Sequence, residues 1–263
     1  QLKRSFMIRA LIFFITFLCI NSDHVAHASN LTNQLGTIEF STSGSEEAQQ
    51  HFIRGVAAIH SFWYTEALEA FQKSTKVDPN FAMGFWGEAM AHNYPLWEQQ
   101  DIKSAKAALL KISNTSKLTQ REQDYIQAIK LLYGNGEKPT RDKAYSSAMR
   151  EIHIKYPKDL EAACFYSLSL LGVARNMKNK LRLQVESGAI ALDVFQQNPN
   201  HPCASHYAIH AFDNPDLARL ALPSAQRYAK IAPSSHHAQH MPAHIFIQLG
   251  MWPEAAESNE NGW

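Results

Sequence analysis

Seven of the chain's thirteen histidines fall between His201 and His244. They form two groups, HPCASHYAIH at residues 201–210 and HHAQHMPAHIF at residues 236–246, separated by one helix-like segment. Imidazole is the commonest protein metal ligand and the side chain that titrates nearest neutral pH. Such a concentration can be a metal site, a pH-responsive surface, or buried polar packing. On a helix turning 100° per residue, His237, His240 and His244 share an arc of about 60°, with His236 at its margin. His206 and His210, four apart, share another face, and His201 starts their helix. The candidate metal ligands are therefore His206, His210, His237, His240 and His244.

Histidines at i and i+4 chelate one ion in zinc-protease helices, where a Glu after the first His acts as base. Here those positions are Tyr207 and Ala238, so that enzyme motif is absent. Imidazole-rich ligation with Met241 nearby suits zinc or copper better than calcium or magnesium, which prefer oxygen. Asp213 can be a further ligand or can orient an imidazole, and Glu88 is a more distant acid. Pro242 cannot supply an N–H to the helix ladder, so a kinked helix over residues 236–249 is preferred to one that starts at Pro242 and leaves His236 and His237 on a loop.

The elements that must position these residues read as helices throughout, with nothing that reads as strand. Apolar residues recur at three- and four-residue spacing, punctuated by Tyr156-Pro157, Asn198-Pro199 and Ala232-Pro233. The clearest unit is residues 51–80. Gly55 lets two helices approach, Ala67 fills the facing contact twelve residues later, Phe71 follows on the same face, and Asp78-Pro79 closes the pair. This is tetratricopeptide-repeat spacing. Ala243 and Ala255 repeat it near the C-terminus, with Trp252-Pro253 starting a second helix. Further helices are expected over residues 81–92, 102–112, 118–133, 141–154, 160–173, 181–197, 201–212 and 217–231. The fold class is thus all-α, an α-solenoid of tetratricopeptide-like helix pairs. His60, Met90 and His92 could reach its concave face, and Trp63, Trp86 and Trp97 are either inter-repeat wedges or a ligand wall.

Charge is nearly balanced, 25 basic against 24 acidic residues, which points to no nucleic-acid or anionic-membrane partner. Met7-Ile8-Arg9, the apolar run at residues 10–20 and Ala26-His27-Ala28 read as a cleaved export signal over residues 1–28, with residues 1–6 upstream of it. The run is shorter than the roughly 20 residues a spanning helix needs, so no stable membrane span is expected after cleavage. A polar segment follows at residues 29–45, then the repeats at residues 46–263, whose last helix reads as interrupted by the C-terminus. Of the remaining cysteines, Cys164 and Cys203 can pair or stay as buried thiols.

The Phe62-Trp63-Tyr64 turn, DPNFAMGFWGEAM at residues 78–90, Pro95-Leu96-Trp97, and the histidine segments at residues 201–215 and 237–252 together resemble a group of exported, His-rich bacterial tetratricopeptide-repeat proteins. The resemblance covers almost all of the mature chain. It departs at Cys203, where Gly is usual, and at Gln239, where Leu is usual, and neither departure removes a histidine. It implies a repeat fold and a periplasmic or secreted location more than it implies an activity. The expectation is an exported scaffold that binds a protein or peptide on its concave face, with a histidine pocket able to take zinc or copper. The competing expectation is a metal-dependent hydrolase or oxidase on the same scaffold.

Overall fold

A computed structural model of the chain describes residues 34–113, 115 and 117–263, and the export signal expected over residues 1–28 lies outside them. Within these residues the fold is all-α, apart from one two-residue antiparallel bridge. The first helix pair is α1 (Glu46–His60) and α2 (Tyr64–Val77), followed by α3 (Ala82–Met90) and α4 (Ile102–Leu110). Then come α5 (Gln120–Leu132), α6 (Lys138–Lys155), α7 (Leu160–Arg175), α8 (Leu181–Gln197) and α9 (Pro202–Ala211). The chain continues through α10 (Ala218–Ile231), α11 (His236–His240), α12 (Pro242–Gln248) and α13 (Trp252–Gly262). No helix among the described residues is long and apolar enough to cross a membrane.

Local sequence explains where the helices begin. The Ser45 hydroxyl accepts the N–H of Ala48 at the start of α1, and Asp101 and Asp159 do the same for α4 and α7. Thr119 and Glu122 form a reciprocal capping box at α5. Helix-to-helix closeness depends on missing side chains. A Cβ on Gly55 or on Gly87 would meet the Phe71 ring at 2.6 or 2.2 Å, so α1 and α3 close on α2 only because both positions are Gly. The close approach expected from Gly55 is therefore present, and Gly87 completes it.

The helix series has a strand-like exception. After α3, Asn93–Tyr94 pairs with Gln99–Gln100 across the short 3-10 turn Pro95–Trp97, against the reading that nothing was strand. The cause is local: Pro95 opens the 3-10 turn, and Glu98 takes the left-handed backbone conformation (φ 58°) that reverses the chain. The bridge fixes the indole of Trp97, which is half-exposed beside the histidines.

Neighbouring helices pack along the chain, and α1 also packs on α9, so the first helix meets the one that carries His206 and His210. The segment read as a polar connection is packed from residue 34 onward. Leu35, Ile38 and Phe40 are buried, Thr37 exchanges hydrogen bonds with Asn200 and Asn198, and the Ser43 N–H donates to Glu122. Phe40 stacks edge-on against Phe52 and Trp86. Trp86 is thus core, and Trp97 is the tryptophan that reaches the pocket. Cys164 on α7 and Cys203 on α9 form a disulfide, which decides between the pairing and the two buried thiols.

Candidate metal centre

Helix α9 presents His206 and His210 one turn apart, and Pro202 at its first position together with His201 at its N-cap sets where that turn falls. Helix α11 presents His237. The Ser235 hydroxyl caps α11 and also donates to the Ser61 carbonyl in the turn after α1. Between α11 and α12, Met241 keeps helical backbone angles and Pro242 takes the first position of α12, so two short helices stand where one kinked helix was expected over residues 236–249. One ligand-capable atom from each of His206, His210 and His237 lies within 4.8 Å of the others.

Hydrogen bonding defines their protonation. The His206 Nδ1 lies 2.6 Å from the His60 carbonyl, which can only accept, so His206 donates there and turns a lone pair at Nε2 toward His210. This is the outer contact that commonly orients a metal-bound imidazole. The His210 Nε2 is 3.0 Å from that lone pair, and the His237 Nε2 is buried with no hydrogen-bond partner. Burial, then the neighbouring imidazoles, hold His206 and His210 well below the usual histidine range. Burial brings His237 down to about 4, so all three are neutral near pH 7, the state ligation needs.

Phe62 packs against all three, with ring centroids 4.2, 5.4 and 5.5 Å from His206, His210 and His237. It sits in the left-handed region at φ 53°, where a bulky residue is strained, so its surroundings must impose that conformation. Sequence reading singled out the Phe62-Trp63-Tyr64 turn as part of a repeat pattern, and the geometry makes it a wall of the site.

The other two expected ligands form a separate pair. The His240 and His244 Nε2 atoms are 3.1 Å apart. The His244 Nδ1 donates to Asp213 at 2.8 Å, and the His240 Nδ1 donates to Asn259 of α13 at 2.8 Å. The hydrogen bond from His244, then the charge beside it, keeps Asp213 below the usual carboxylate range despite partial burial. Asp213 was expected to serve the histidines as ligand or orienter, and the imidazole it orients is His244. His236 is exposed. Glu88 is turned away from the pocket, accepting from the Thr75 hydroxyl at 2.6 Å.

Behind α9 lies a fully buried polar cluster that sequence reading missed. The Glu161 carboxylate accepts from the His60 Nε2 at 2.6 Å and from the His201 Nε2 at 2.8 Å. The Tyr207 hydroxyl donates to the His60 Nδ1 at 2.8 Å, and the Cys203 N–H donates to the His201 Nδ1. Burial alone would raise Glu161, but the imidazoles of His201 and His60 outweigh it and hold the carboxyl at about 2. His60, Cys164 and His201 also have their ligand-capable atoms within 4.8 Å of one another, although the Cys164 sulfur is already in the disulfide. His60, expected at the concave face, is interior and serves the pocket through its backbone carbonyl.

Fold and site together define an all-helical protein with histidine groups placed so that they could hold a metal ion. Compared with known proteins, the chain matches no family model, and no curated protein matches it significantly.

Proposed function

We propose that the chain is an exported scaffold of tetratricopeptide-like helix pairs, an α-solenoid, that holds a transition metal, zinc or copper, on His206, His210 and His237. The observation that carries this reading is the geometry of three converging imidazoles. One has its tautomer fixed by a backbone carbonyl, and another has a buried nitrogen with no partner. A buried unpaired nitrogen costs free energy on the order of 1–3 kcal/mol, which a bound cation removes. Three nitrogen ligands, of which His210 and His237 line the pocket, would leave a coordination position open on that side, as in sites that bind water or substrate on zinc. Docking of a protein or peptide on a concave repeat surface is the wider role of such a scaffold and rests on the helix-pair pattern alone.

The metal reading is tested by titrating the metal-free full chain with Co²⁺ and following the visible spectrum of the ion. The expected result is a saturable spectrum of low coordination number. His237→Ala should weaken binding by roughly 100-fold or more, beyond what loss of an outer supporting partner costs. A featureless titration, or one indifferent to His237→Ala, overturns it.

A second reading, metal-assisted hydrolysis, is favoured by the Asp213–His244 pair lining the same pocket as His210 and His237. In that role His244 would take a proton from the attacking water, and Asp213 would stabilise the resulting imidazolium. Its check is a pH–rate profile on activated esters, which His244→Gln should suppress without loss of metal.

A further inference from the structure

The pocket in front of the histidines has a volume of about 470 Å³, within the range of small-molecule sites. Its histidine side is built by α9, α11 and α12. A different pair of elements builds the rest: the end of α7 contributes Arg175, and the start of α8 contributes Lys180 and Gln184. Neither Arg175 nor Lys180 forms an ion pair among the described residues, and both are exposed to the solvent that fills the pocket. Arg175 is also close enough for its charge to disfavour protonation of His210.

The same pocket is also lined by the apolar side chains of Leu96, Trp97, Leu171 and Met241. Two cations without ion pairs, the imidazoles of His210 and His237 and apolar side chains that include an indole specify a particular ligand. We infer that the pocket binds a small organic carboxylate with an apolar or aromatic body. Its carboxylate is held by Arg175 and Lys180, its body lies against Trp97, and its other end faces the histidine site. A guanidinium presents parallel N–H donors that match a carboxylate, and the ammonium adds a second charge. An inorganic oxyanion would satisfy the cations but leave the apolar side chains wet. A neutral aromatic would cover those side chains but leave the cations unanswered. This inference rests on the proposed metal reading only for what its far end meets; the cations and the apolar side chains stand apart from it.

The experiment is calorimetric titration of the full chain, metal-free and zinc-loaded, with benzoate, benzyl alcohol and inorganic phosphate, with zinc content measured on the same preparations. Benzoate should bind at least tenfold more tightly than either comparator. The Arg175→Met/Lys180→Met double variant should lose at least tenfold in benzoate affinity while its zinc content stays that of the parent. Both substituted side chains are exposed, so the fold is not at stake. The inference is overturned if the double variant binds benzoate as well as the parent, if benzyl alcohol binds equally, or if phosphate binds as tightly as benzoate. A chain that takes no zinc fails the metal reading alone, and the same comparisons on the metal-free chain still decide the carboxylate site.

Discussion

Glu161 and His206 show how one buried network serves another. Glu161 keeps its charge in the interior because two imidazole N–H groups face it, and His60, one of those two, turns its own carbonyl to His206. The carboxyl is held at about 2 in the fold against an ordinary value of 4.5, so the unfolded chain takes up the proton first as pH falls. Stability from this group is therefore full above about pH 4.5 and is lost between there and about 2, on the order of 3 kcal/mol in all. Denaturant titrations across that range should show the loss in the parent, and in Glu161→Gln they should be flatter. Nothing local in LEAACFYSLS marks Glu161 as special, because its partners lie 101 and 40 residues away. The clustering of the candidate histidines was legible because four-residue spacing is itself geometry. Their division into a trio and a pair was not, because Asn259 and Asp213, distant in sequence, draw His240 and His244 aside.

Helices α1, α2 and α3 depend on two absent side chains. Gly87→Ala would push a methyl carbon to 2.2 Å from the Phe71 ring, which is fully buried and cannot swing out. Overpacking of this kind costs about 1–3 kcal/mol, and an equilibrium urea titration of the variant should show it as a lower midpoint at unchanged slope. Phe71→Leu in the same background should recover part of the loss. The helices themselves were legible because apolar spacing, Pro breaks and capping residues agree at nearly every segment. What escaped was the bridge around Pro95–Trp97, since two-residue strands carry no periodicity to read.

Long-range closure of the molecule comes from α1 meeting α9 and from the Cys164–Cys203 disulfide, which ties α7 to α9 beside His201. The bond closes a loop of 39 residues, so on the chain-entropy view its removal destabilises by about 4 kcal/mol. The Cys164→Ala/Cys203→Ala variant should unfold at correspondingly lower denaturant than the oxidised parent. Pairing could not be read beforehand because two cysteines on apolar helix faces suit a thiol and a disulfide equally, and only the meeting of α7 and α9 decides it. The packing of α1 on α9 sets His206 and His210 against the Phe62 turn. The claim that the pocket exists to hold a metal is tested most directly by elemental analysis of the untagged full chain, purified without added metal and then equilibrated with zinc. One tightly held zinc or copper per chain, lost in His210→Ala/His237→Ala but kept in His236→Ala, is the predicted result. A parent chain that retains no metal, or a double variant that retains as much as the parent, would contradict it.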